Sequence, residues 1–391
     1  MQNSLPAPGA ESMRILLLSA YDAHSHRRWR QGLVAAFPDH DWTVVSLPPR
    51  NFSWRIRGNS LSLAFAQRAV LEQPYELLIA TSMTDLSALK GMVPSLAALP
   101  SLVYCHENQF AYPARPAARD CHEPKMVSLY TALAADRVLF NSEYNRQSFL
   151  QGVRMFLGRM PDAVPPGVVE HLAGNSRTLP VPLEAHWFAA DGKAARNDRP
   201  FTVVWNHRWE YDKAPERLFG AMRQLQQSGA DFRLHVVGQQ FRQQPPVFAE
   251  MSPLLKAHIG AWGMVESEAE YRCLLQQSHV ALSTALHEFQ GLALLEATAC
   301  GCIPLAPDRL AYPEFVPAEF RYPSFPGDPA SESDAIATRL LALYARHQRG
   351  ELPDPPVVSG LSWTHLRPAY AAELKTLGTS AGGAGQQYGS T

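Results

Sequence analysis

The segment from Glu288 to Glu296 constrains this chain more than any other. Two glutamates, with seven residues between them, enclose Phe-Gln-Gly-Leu-Ala-Leu-Leu, and Ala-Thr-Ala-Cys-Gly-Cys-Ile-Pro follows at once. A loop carboxylate, a glycine at the turn and an apolar helix just after it would direct backbone N–H groups and the helix dipole at an anion such as a diphosphate. Glu296 would lie about one and a half helical turns inside, near enough for both carboxylates to reach one sugar nucleotide. The alternative is an ordinary amphipathic surface helix, because spacing alone is a weak motif.

Length and composition predict a globular protein of two domains. The chain has 391 residues, 46% apolar and 18% charged, and it exceeds the size at which one core usually keeps growing. It contains no apolar run of the ~20 residues that a membrane span requires. A net charge of −1 gives no general signal for a nucleic-acid partner. Five cysteines without an export signal favour free thiols and a cytoplasmic location.

Short apolar runs alternate with segments of helical character, which predicts parallel βα units. This alternation stops at residue 180 and resumes at residue 199, and the segment between contains Pro182 and Gly192 next to Pro180. Two successive Rossmann-like halves are therefore expected. The predicted organisation is a disordered extension (1–12), an N-terminal acceptor-side domain (13–180), an interdomain connection (181–198), a C-terminal nucleotide-sugar domain (199–361), a last helix (362–377) and a disordered tail (378–391). Every candidate residue falls at the carboxyl end of a predicted strand, where open α/β sheets bind ligands.

The second half resembles the donor half of retaining glycosyltransferases of family 4, which have the α/β GT-B fold of two Rossmann-like domains facing a cleft. The resemblance rests on His287-Glu288-Phe289-Gln290-Gly291-Leu292, on Leu294-Leu295-Glu296-Ala297, and on Val203-Val204-Trp205-Asn206-His207-Arg208 followed by Lys213. It implies that Glu288 holds the transferred sugar, Glu296 binds the nucleotide ribose, and Arg208 and Lys213 clamp the diphosphate. Phe289, Gln290, Gly291 and Leu292 are the other donor-binding candidates of this loop. The resemblance further implies a nucleotide-sugar donor, taken here as GDP-mannose, and no metal or cofactor.

The first loop departs from the wider family, many members of which carry a Gly-Gly pair after the first strand. Here the loop reads Ser-Ala-Tyr-Asp-Ala-His-Ser over residues 19–25. Without glycine, the backbone cannot approach donor phosphates as closely without strain. Ser25 and His26 are therefore the expected donor contacts in this part of the chain.

The segment Cys105-His106-Glu107-Asn108-Gln109-Phe110 follows an apolar strand and precedes a proline-containing loop. In family 4 a histidine at this strand end commonly faces the transferred sugar, which makes His106 a catalytic candidate. The segment is similar, more narrowly, to that of tRNA-queuosine mannosyltransferases, and this implies a tRNA acceptor that contains queuosine. Two alternatives stay open for His106: a structural role in the loop, or a zinc site with Cys105, Cys121 and His122.

Arginines alternate with aromatic residues between Arg50 and Gly58. Such interleaving suits phosphate contacts and base stacking on RNA, so Arg50, Trp54, Arg55 and Arg57 are the RNA-binding candidates. The alternative is a solvated loop whose two aromatic side chains pack inward.

Three other functions remain possible from the sequence. The first is a family 4 enzyme acting on a glycan or lipid-linked acceptor, although no segment shows the basic amphipathic helix that membrane docking requires. The second is a catalytically silent RNA-binding protein on a GT-B scaffold, and the third is a sugar-nucleotide epimerase. No membrane association and no obligatory protein partner are expected.

Overall fold

The computed structural model describes residues 12–112, 122–188 and 199–383, with side chains up to 379. The chain divides into two compact units. The first comprises the described residues up to Asn141, Asn145–Leu179 and the chain from Arg367 onward, and the second comprises Ser142–Tyr144 and Pro180–Leu366. The predicted extension 1–12 lies outside the described residues except for its last position, as does most of the predicted connection.

The first unit contains a six-stranded parallel sheet in the order β2-β1-β3-β4-β5-β6. Its strands are β1 (Arg14–Ser19), β2 (Asp41–Ser46), β3 (Leu77–Thr81), β4 (Ser101–Cys105), β5 (Arg137–Phe140) and β6 (Ser176–Thr178). Its helices are α1 (His24–Ala36), α2 (Phe52–Ala66), α3 (Arg68–Leu71), α4 (Leu86–Met92), α5 (Glu123–Leu133), α6 (Glu143–Leu157) and α7 (Val168–Asn175). Strands β1, β3 and β4 are buried along nearly their whole length, as expected for a parallel sheet covered on both faces.

The second unit contains another six-stranded parallel sheet, in the order β12-β11-β10-β7-β8-β9. Its strands are β7 (Phe201–Asn206), β8 (Phe232–Val237), β9 (Ile259–Gly263), β10 (Val280–Leu282), β11 (Ile303–Pro307) and β12 (Arg321–Tyr322). Its helices are α8 (Pro215–Gln227), α9 (Val247–Leu254), α10 (Glu268–Gln277), α11 (Leu292–Ala299), α12 (Tyr312–Phe315) and α13 (Pro329–Gln348), and α14 (Trp363–Gly383) returns the chain to the first unit.

The two sheets realise the two common orders of doubly wound folds. Numbered within its own unit, the second sheet has the Rossmann order 3-2-1-4-5-6, whereas the first has the 2-1-3-4-5 order extended by one strand. The order reverses between β1 and β3 in the first unit and between β7 and β10 in the second. Ligands of such sheets bind outside the carboxyl ends of the strands at this switch point.

Two predicted helices have boundaries that differ clearly from those in the structure, and five further helices were not predicted: α4, α7, α9, α12 and α13. The apolar pattern predicts a helix over 61–72, but α2 begins at Phe52 and continues to Ala66, so the segment that follows Arg50 is helical and not an irregular loop. The predicted disordered tail is wrong for residues 378–383, since α14 continues to Gly383; the rest of that tail lies outside the described residues. Glycine-rich composition suggested an early end, yet Gly378 packs close to Met13, where a Cβ atom would meet the Met13 sulfur at 2.4 Å.

No helix among the described residues is both long enough and apolar enough to cross a membrane.

Candidate active site

The donor-side candidates meet at the switch point of the second sheet. Strand β7 is buried from end to end and delivers His207 and Arg208 to its carboxyl edge. A single 3-10 turn, Tyr211–Lys213, follows and ends in Ala214, whose backbone is left-handed with φ 48°. From β10 the chain continues as the segment 284–291, here called the donor loop, to the start of α11.

Lys213 is the centre of this arrangement. Its ammonium group is buried, with a side-chain exposure of 7%, and it donates to the carbonyl of His287 at 2.7 Å. The same Nζ lies 3.3 Å from Glu288 Oε2 and 3.3 Å from Asp212 Oδ2. Backbone contacts fix the turn against the donor loop, because Leu286 N–H donates to the carbonyl of Asp212 at 2.8 Å. Lys213 and Glu288 were both predicted site residues and are 75 positions apart in the sequence. The structure brings them together in one ion pair.

The charges at this site are set by mutual proximity. Burial alone would raise the pKa of Glu288, but Lys213 and the two nearby imidazoles lower it to about 2. Burial, reinforced by the Lys213 charge, lowers the pKa of His207 to about 3 and that of His287 to about 4. Burial also opposes the charge of Lys213, yet Glu288 and Asp212 hold its pKa above the usual value. At neutral pH Lys213 and Glu288 therefore carry opposite charges, and the imidazoles of His207 and His287 are uncharged.

Gly291, the N-cap residue of α11, has φ 82° and provides no side-chain cap. A side chain at this position would meet the Tyr312 ring, since a Cβ would lie 3.0 Å from Tyr312 Cε1. Asn206 at the end of β7 donates to the carbonyl of Ala293 at 2.8 Å and so fixes the first turn of α11. The first backbone N–H groups of the helix thus lack a capping side chain, the arrangement that suits an anion. Glu296 lies in the second turn and is buried, 7% exposed.

The remaining donor candidates differ in their surroundings. Arg208 has a half-exposed side chain and pairs with Glu210 at 2.9 Å. Phe289 is buried, and Leu292 is half-buried at the first helical position. The side-chain amide of Gln290 forms two hydrogen bonds with the backbone of Val181. Its oxygen accepts from the Val181 N–H and its nitrogen donates to the Val181 carbonyl, both at 3.0 Å. Its side chain therefore fastens the donor loop in this structure.

In the first unit, His106 and His26 stack at the carboxyl edge of the sheet, with ring centroids 4.2 Å apart. His106 is 5% exposed, neither ring nitrogen has a hydrogen-bond partner among the described residues, and burial holds its pKa well below the usual value. His26 Nε2 lies 2.9 Å from Glu107 Oε2, and Ser82 donates to the other oxygen of Glu107 at 2.7 Å. An unpaired buried imidazole is costly, so it is a candidate for binding a polar substrate group.

The glycine-free first loop is fixed by a buried carboxylate. Asp22 accepts two hydrogen bonds from Arg30, both at 2.8 Å, and one from Arg27 at 3.1 Å. Burial opposes its ionisation, but the hydrogen bonds and charges of Arg30 and Arg27 outweigh that effect and lower the pKa of Asp22. Ser25 is half-buried in the first turn of α1.

The four RNA-binding candidates do not form one exposed group. Arg50 is exposed and precedes α2, and Trp54 on its first turn has 57% exposure. Arg55 points inward and is 8% exposed. Arg57 pairs at 2.9 Å with Asp85, a fully buried carboxylate that also caps α4. The contacts thus place Arg55 and Arg57 partly or wholly in structural roles.

The zinc alternative for His106 can be followed only in part, because Cys121 lies outside the described residues. His122 is exposed, and its ring packs edge-on against Phe156 at 5.4 Å. Within the described ranges, no group of three or more histidine, cysteine or acidic side chains is placed to hold a metal ion.

Several residues of the site escaped the sequence-based selection. Asp212, His207 and Glu107 were quoted or adjacent, but none was assigned a role, because the sequence does not show which neighbouring side chains turn toward Lys213 or His26. The one available signal was position, since all three follow a buried strand of a parallel sheet.

Solved glycosyltransferases share this architecture at low sequence identity. The chain aligns with HepE of Anabaena in complex with UDP at a TM-score of 0.63 and 14% identity, covering 93% of this chain and all of that one. It aligns with sucrose-phosphate synthase of Thermosynechococcus elongatus at 0.65 and 18%, covering 94% and 100%. Residues 189–347 match the family model "Glycosyl transferases group 1". The predicted GT-B fold is confirmed, and the protein is a glycosyltransferase.

The particular family follows from closer relatives. Residues 14–183 match the model "tRNA-queuosine alpha-mannosyltransferase N-terminal". A Drosophila melanogaster protein named tRNA-queuosine alpha-mannosyltransferase is 34% identical over 316 residues, which are 79% of this chain and 83% of that protein. The chain belongs to the tRNA-queuosine alpha-mannosyltransferase family, as its sequence motifs predicted.

Proposed function

We propose that this enzyme transfers mannose from GDP-mannose to the cyclopentenediol of queuosine in a tRNA anticodon, with tRNA-Asp as the expected substrate and with retention at the anomeric carbon. The observation that carries the proposal is the buried Lys213–Glu288 pair at the switch point of the second sheet, in a chain of this family. The pair offers a cation to a diphosphate and a carboxylate that is ionised at neutral pH to a sugar.

In the proposed reaction, the bond between mannose C1 and the diphosphate oxygen breaks, and GDP leaves with the electron pair. Lys213 and Arg208 stabilise the negative charge that develops on the diphosphate, and the uncapped start of α11 adds its N–H groups. A lysine supplies a point charge and an arginine a planar fork, which together suit a diphosphate. The negative charge is stabilised more in the transition state than in the bound donor, which is the condition for an effect on kcat.

The new bond forms between mannose C1 and a hydroxyl oxygen of the cyclopentenediol, on the face from which GDP departs. The hydroxyl proton passes to the departing phosphate oxygen, so the step needs no protein base. Glu288 hydrogen-bonds the hydroxyls of the sugar and offsets positive charge at C1. His106, whose ring nitrogens lack described partners, hydrogen-bonds the transferred sugar as a neutral imidazole.

Replacing the two glutamates separately should divide turnover from donor binding. Glu288→Ala removes an interaction that strengthens at the transition state, so kcat should fall about 100-fold with little change in the KM for GDP-mannose. Glu296→Ala removes a hydrogen-bond acceptor for the ribose, so KM should rise about tenfold while kcat changes little. Steady-state kinetics with saturating queuosine-containing tRNA measures both. If kcat fell and KM rose by similar factors in both variants, these roles would be contradicted.

Trp54 is the exposed aromatic residue best placed to stack on a nucleobase of the tRNA. Its indole lies against Gly58, where an added Cβ would approach Trp54 Cε2 to 2.3 Å. Trp54→Ala should weaken tRNA binding about tenfold, since stacking on one base contributes ~1–3 kcal/mol. Gly58→Ala should also weaken binding by displacing the ring, whereas Gly91→Ala, with no atom within 4 Å of its Cβ, should not.

Fluorescence anisotropy of labelled tRNA without donor measures this effect. Unchanged affinity in both Trp54→Ala and Gly58→Ala would remove Trp54 from the tRNA surface. A parallel series in rising salt separates stacking from phosphate contacts: Arg50→Ala should reduce the salt slope, and Trp54→Ala should leave it unchanged.

The function itself is tested by incubating the protein with GDP-mannose and bulk tRNA, prepared with and without queuosine. The tRNA is digested to nucleosides and examined by mass spectrometry. The expected result is one added hexose, only on queuosine, in the reaction with GDP-mannose. Transfer from another sugar nucleotide would correct the donor, and transfer to a glycan but not to tRNA would reject the acceptor.

A further inference from the structure

The turn that follows β11, residues 309–312, hydrogen-bonds and packs against the donor loop. Arg309 Nε donates to the carbonyl of Ala285 at 2.9 Å, and its Nη2 lies 3.3 Å from the carbonyl of Thr284. Both carbonyls belong to the start of the donor loop. A rigid guanidinium fork that bonds two successive carbonyls restrains the direction in which the chain leaves β10.

Arg309 is itself fixed by a buried carboxylate. Its two terminal nitrogens donate to the two oxygens of Glu332 at 2.7 and 2.8 Å, and Glu332 is completely buried. One of those oxygens also accepts from the backbone N–H of Phe325 at 2.9 Å. A two-pronged pair in such surroundings has one geometry available, so the guanidinium plane is set before any substrate binds.

Through Tyr312 the same turn contacts both Ser283, just before the donor loop, and Gly291, its last residue. Its hydroxyl lies 2.5 Å from Ser283 Oγ, and its ring packs so closely on Gly291 that a Cβ there would lie 3.0 Å away. Leu310, between Arg309 and Tyr312, has φ 58°, a conformation that leucine rarely adopts. Such an outlier persists only where its surroundings enforce it.

The same set of hydrogen bonds extends to Lys213 through Thr284. Thr284, whose carbonyl faces Arg309, uses its hydroxyl to donate to the carbonyl of Lys213 at 2.6 Å. The hydroxyl oxygen also accepts from Trp205 Nε1 at 2.9 Å. A buried chain of polar contacts therefore runs from Glu332 through Arg309 and Thr284 to Lys213.

We infer that Arg309 and Tyr312 are positioning residues of the transfer reaction, which hold the donor loop so that Glu288 and Lys213 keep their relative placement. Neither residue needs to touch substrate. The kinetic part of the inference rests on the proposed function, whereas the restraint on the donor loop does not. The chain offers a matched control in Arg217, which also reaches Glu332, with Nε 3.4 Å from Oε1. Its other side-chain partners are Glu216 and the carbonyl of Pro326, and not the donor loop.

The experiment compares Arg309→Lys with Arg217→Lys in the full-length protein. Lysine keeps the charge beside Glu332 but cannot bond both loop carbonyls, so Arg309→Lys should lower kcat at least tenfold and leave the Kd for GDP within about twofold. Hydrogen–deuterium exchange across residues 284–291 should become faster in Arg309→Lys and should stay unchanged in Arg217→Lys. Arg217→Lys should lower the thermal midpoint without changing kcat or that exchange. Tyr312→Phe, which removes a single hydroxyl, should lower kcat about threefold and decides the matter if Arg309→Lys does not fold.

Equal behaviour of the two arginine variants, or normal kcat and exchange in both Arg309→Lys and Tyr312→Phe, would overturn the inference. The exchange readout needs no substrate and separates the two possible failures. Faster exchange confined to Arg309→Lys in a protein that transfers no mannose would reject the proposed function and keep the restraint. Mannose transfer by the wild type, with no difference between the arginine variants, would do the reverse.

Discussion

Lys213→Met should reduce kcat for mannosyl transfer by a factor of about 100 to 1,000. The methionine side chain fills similar space but removes the buried cation that would face the departing diphosphate, and loss of one preorganised charge or donor typically has an effect of this size. Steady-state kinetics with GDP-mannose and queuosine-containing tRNA measures it. A fall of less than fivefold would show that Lys213 is not the principal cation of the site.

Lys90→Met is a suitable control for this variant. Lys90 is a half-buried lysine, with Nζ bonded to Ser101 Oγ at 2.9 Å and to the carbonyl of Ala134 at 2.8 Å, but it lies in the first unit away from the switch point. Its replacement should lower the thermal midpoint and leave kcat unchanged. If both variants lost activity equally, the loss would reflect folding and not chemistry.

Lys213→Met should also change how the reaction rate depends on pH. Glu288, with its pKa lowered to about 2, stabilises the wild-type fold fully above its unfolded pKa of about 4.5, and that contribution is lost as the pH falls toward 2. Without Lys213, burial dominates and the pKa of Glu288 rises. The rate of Lys213→Met should therefore decline on the acid side at a higher pH than the wild-type rate.

Glu332→Ala should have the largest effect on stability. It leaves Arg217 and Arg309, whose side chains are 2% and 10% exposed, without their shared carboxylate. Removing one partner from a buried charge network costs about 3–5 kcal/mol, and a unit of this size loses about 2–4 °C of thermal midpoint for each kcal/mol. Differential scanning calorimetry should show a drop of about 10 °C in the transition of the second unit.

Glu351→Ala provides the comparison for an exposed ion pair. Glu351 pairs with Arg349 at 2.7 Å, but both side chains are more than half exposed, so the loss should stay below about 1 kcal/mol. Similar midpoints for Glu332→Ala and Glu351→Ala would mean that the buried network adds no more stability than a surface pair.

The regular part of the fold was predictable because it depends on local patterns. The apolar pattern predicts a strand over 232–237 and helices over 143–157 and 215–227, and β8, α6 and α8 have these boundaries. Alternating apolar residues indicate a strand, and a period of about 3.6 residues indicates a helix. Helix α2 was placed too late, because its first turns carry arginines and a glycine that suggested a loop. The packing of Trp54 over Gly58 and the pairing of Arg57 with Asp85 supply the stabilisation that local propensity did not indicate.

The site was predictable in its members and not in its connections. Motif resemblance selected Lys213 and Glu288, and the structure brings the two together. It could not show that Gln290 binds the backbone of Val181, or that Arg309 reaches the start of the donor loop, because such contacts join residues far apart in sequence. The roles of the individual candidates stay predictions for the variants described above.

The two imidazoles beside Lys213 have a consequence for how the enzyme would respond to its surroundings. With the pKa of His207 at about 3 and that of His287 at about 4, neither changes charge between pH 5 and 8. The pKa of Glu288 at about 2 and the raised pKa of Lys213 lie outside that interval as well. These four side chains therefore keep their charges throughout that interval, so ordinary fluctuations in acidity leave the charge pattern around Lys213 unchanged.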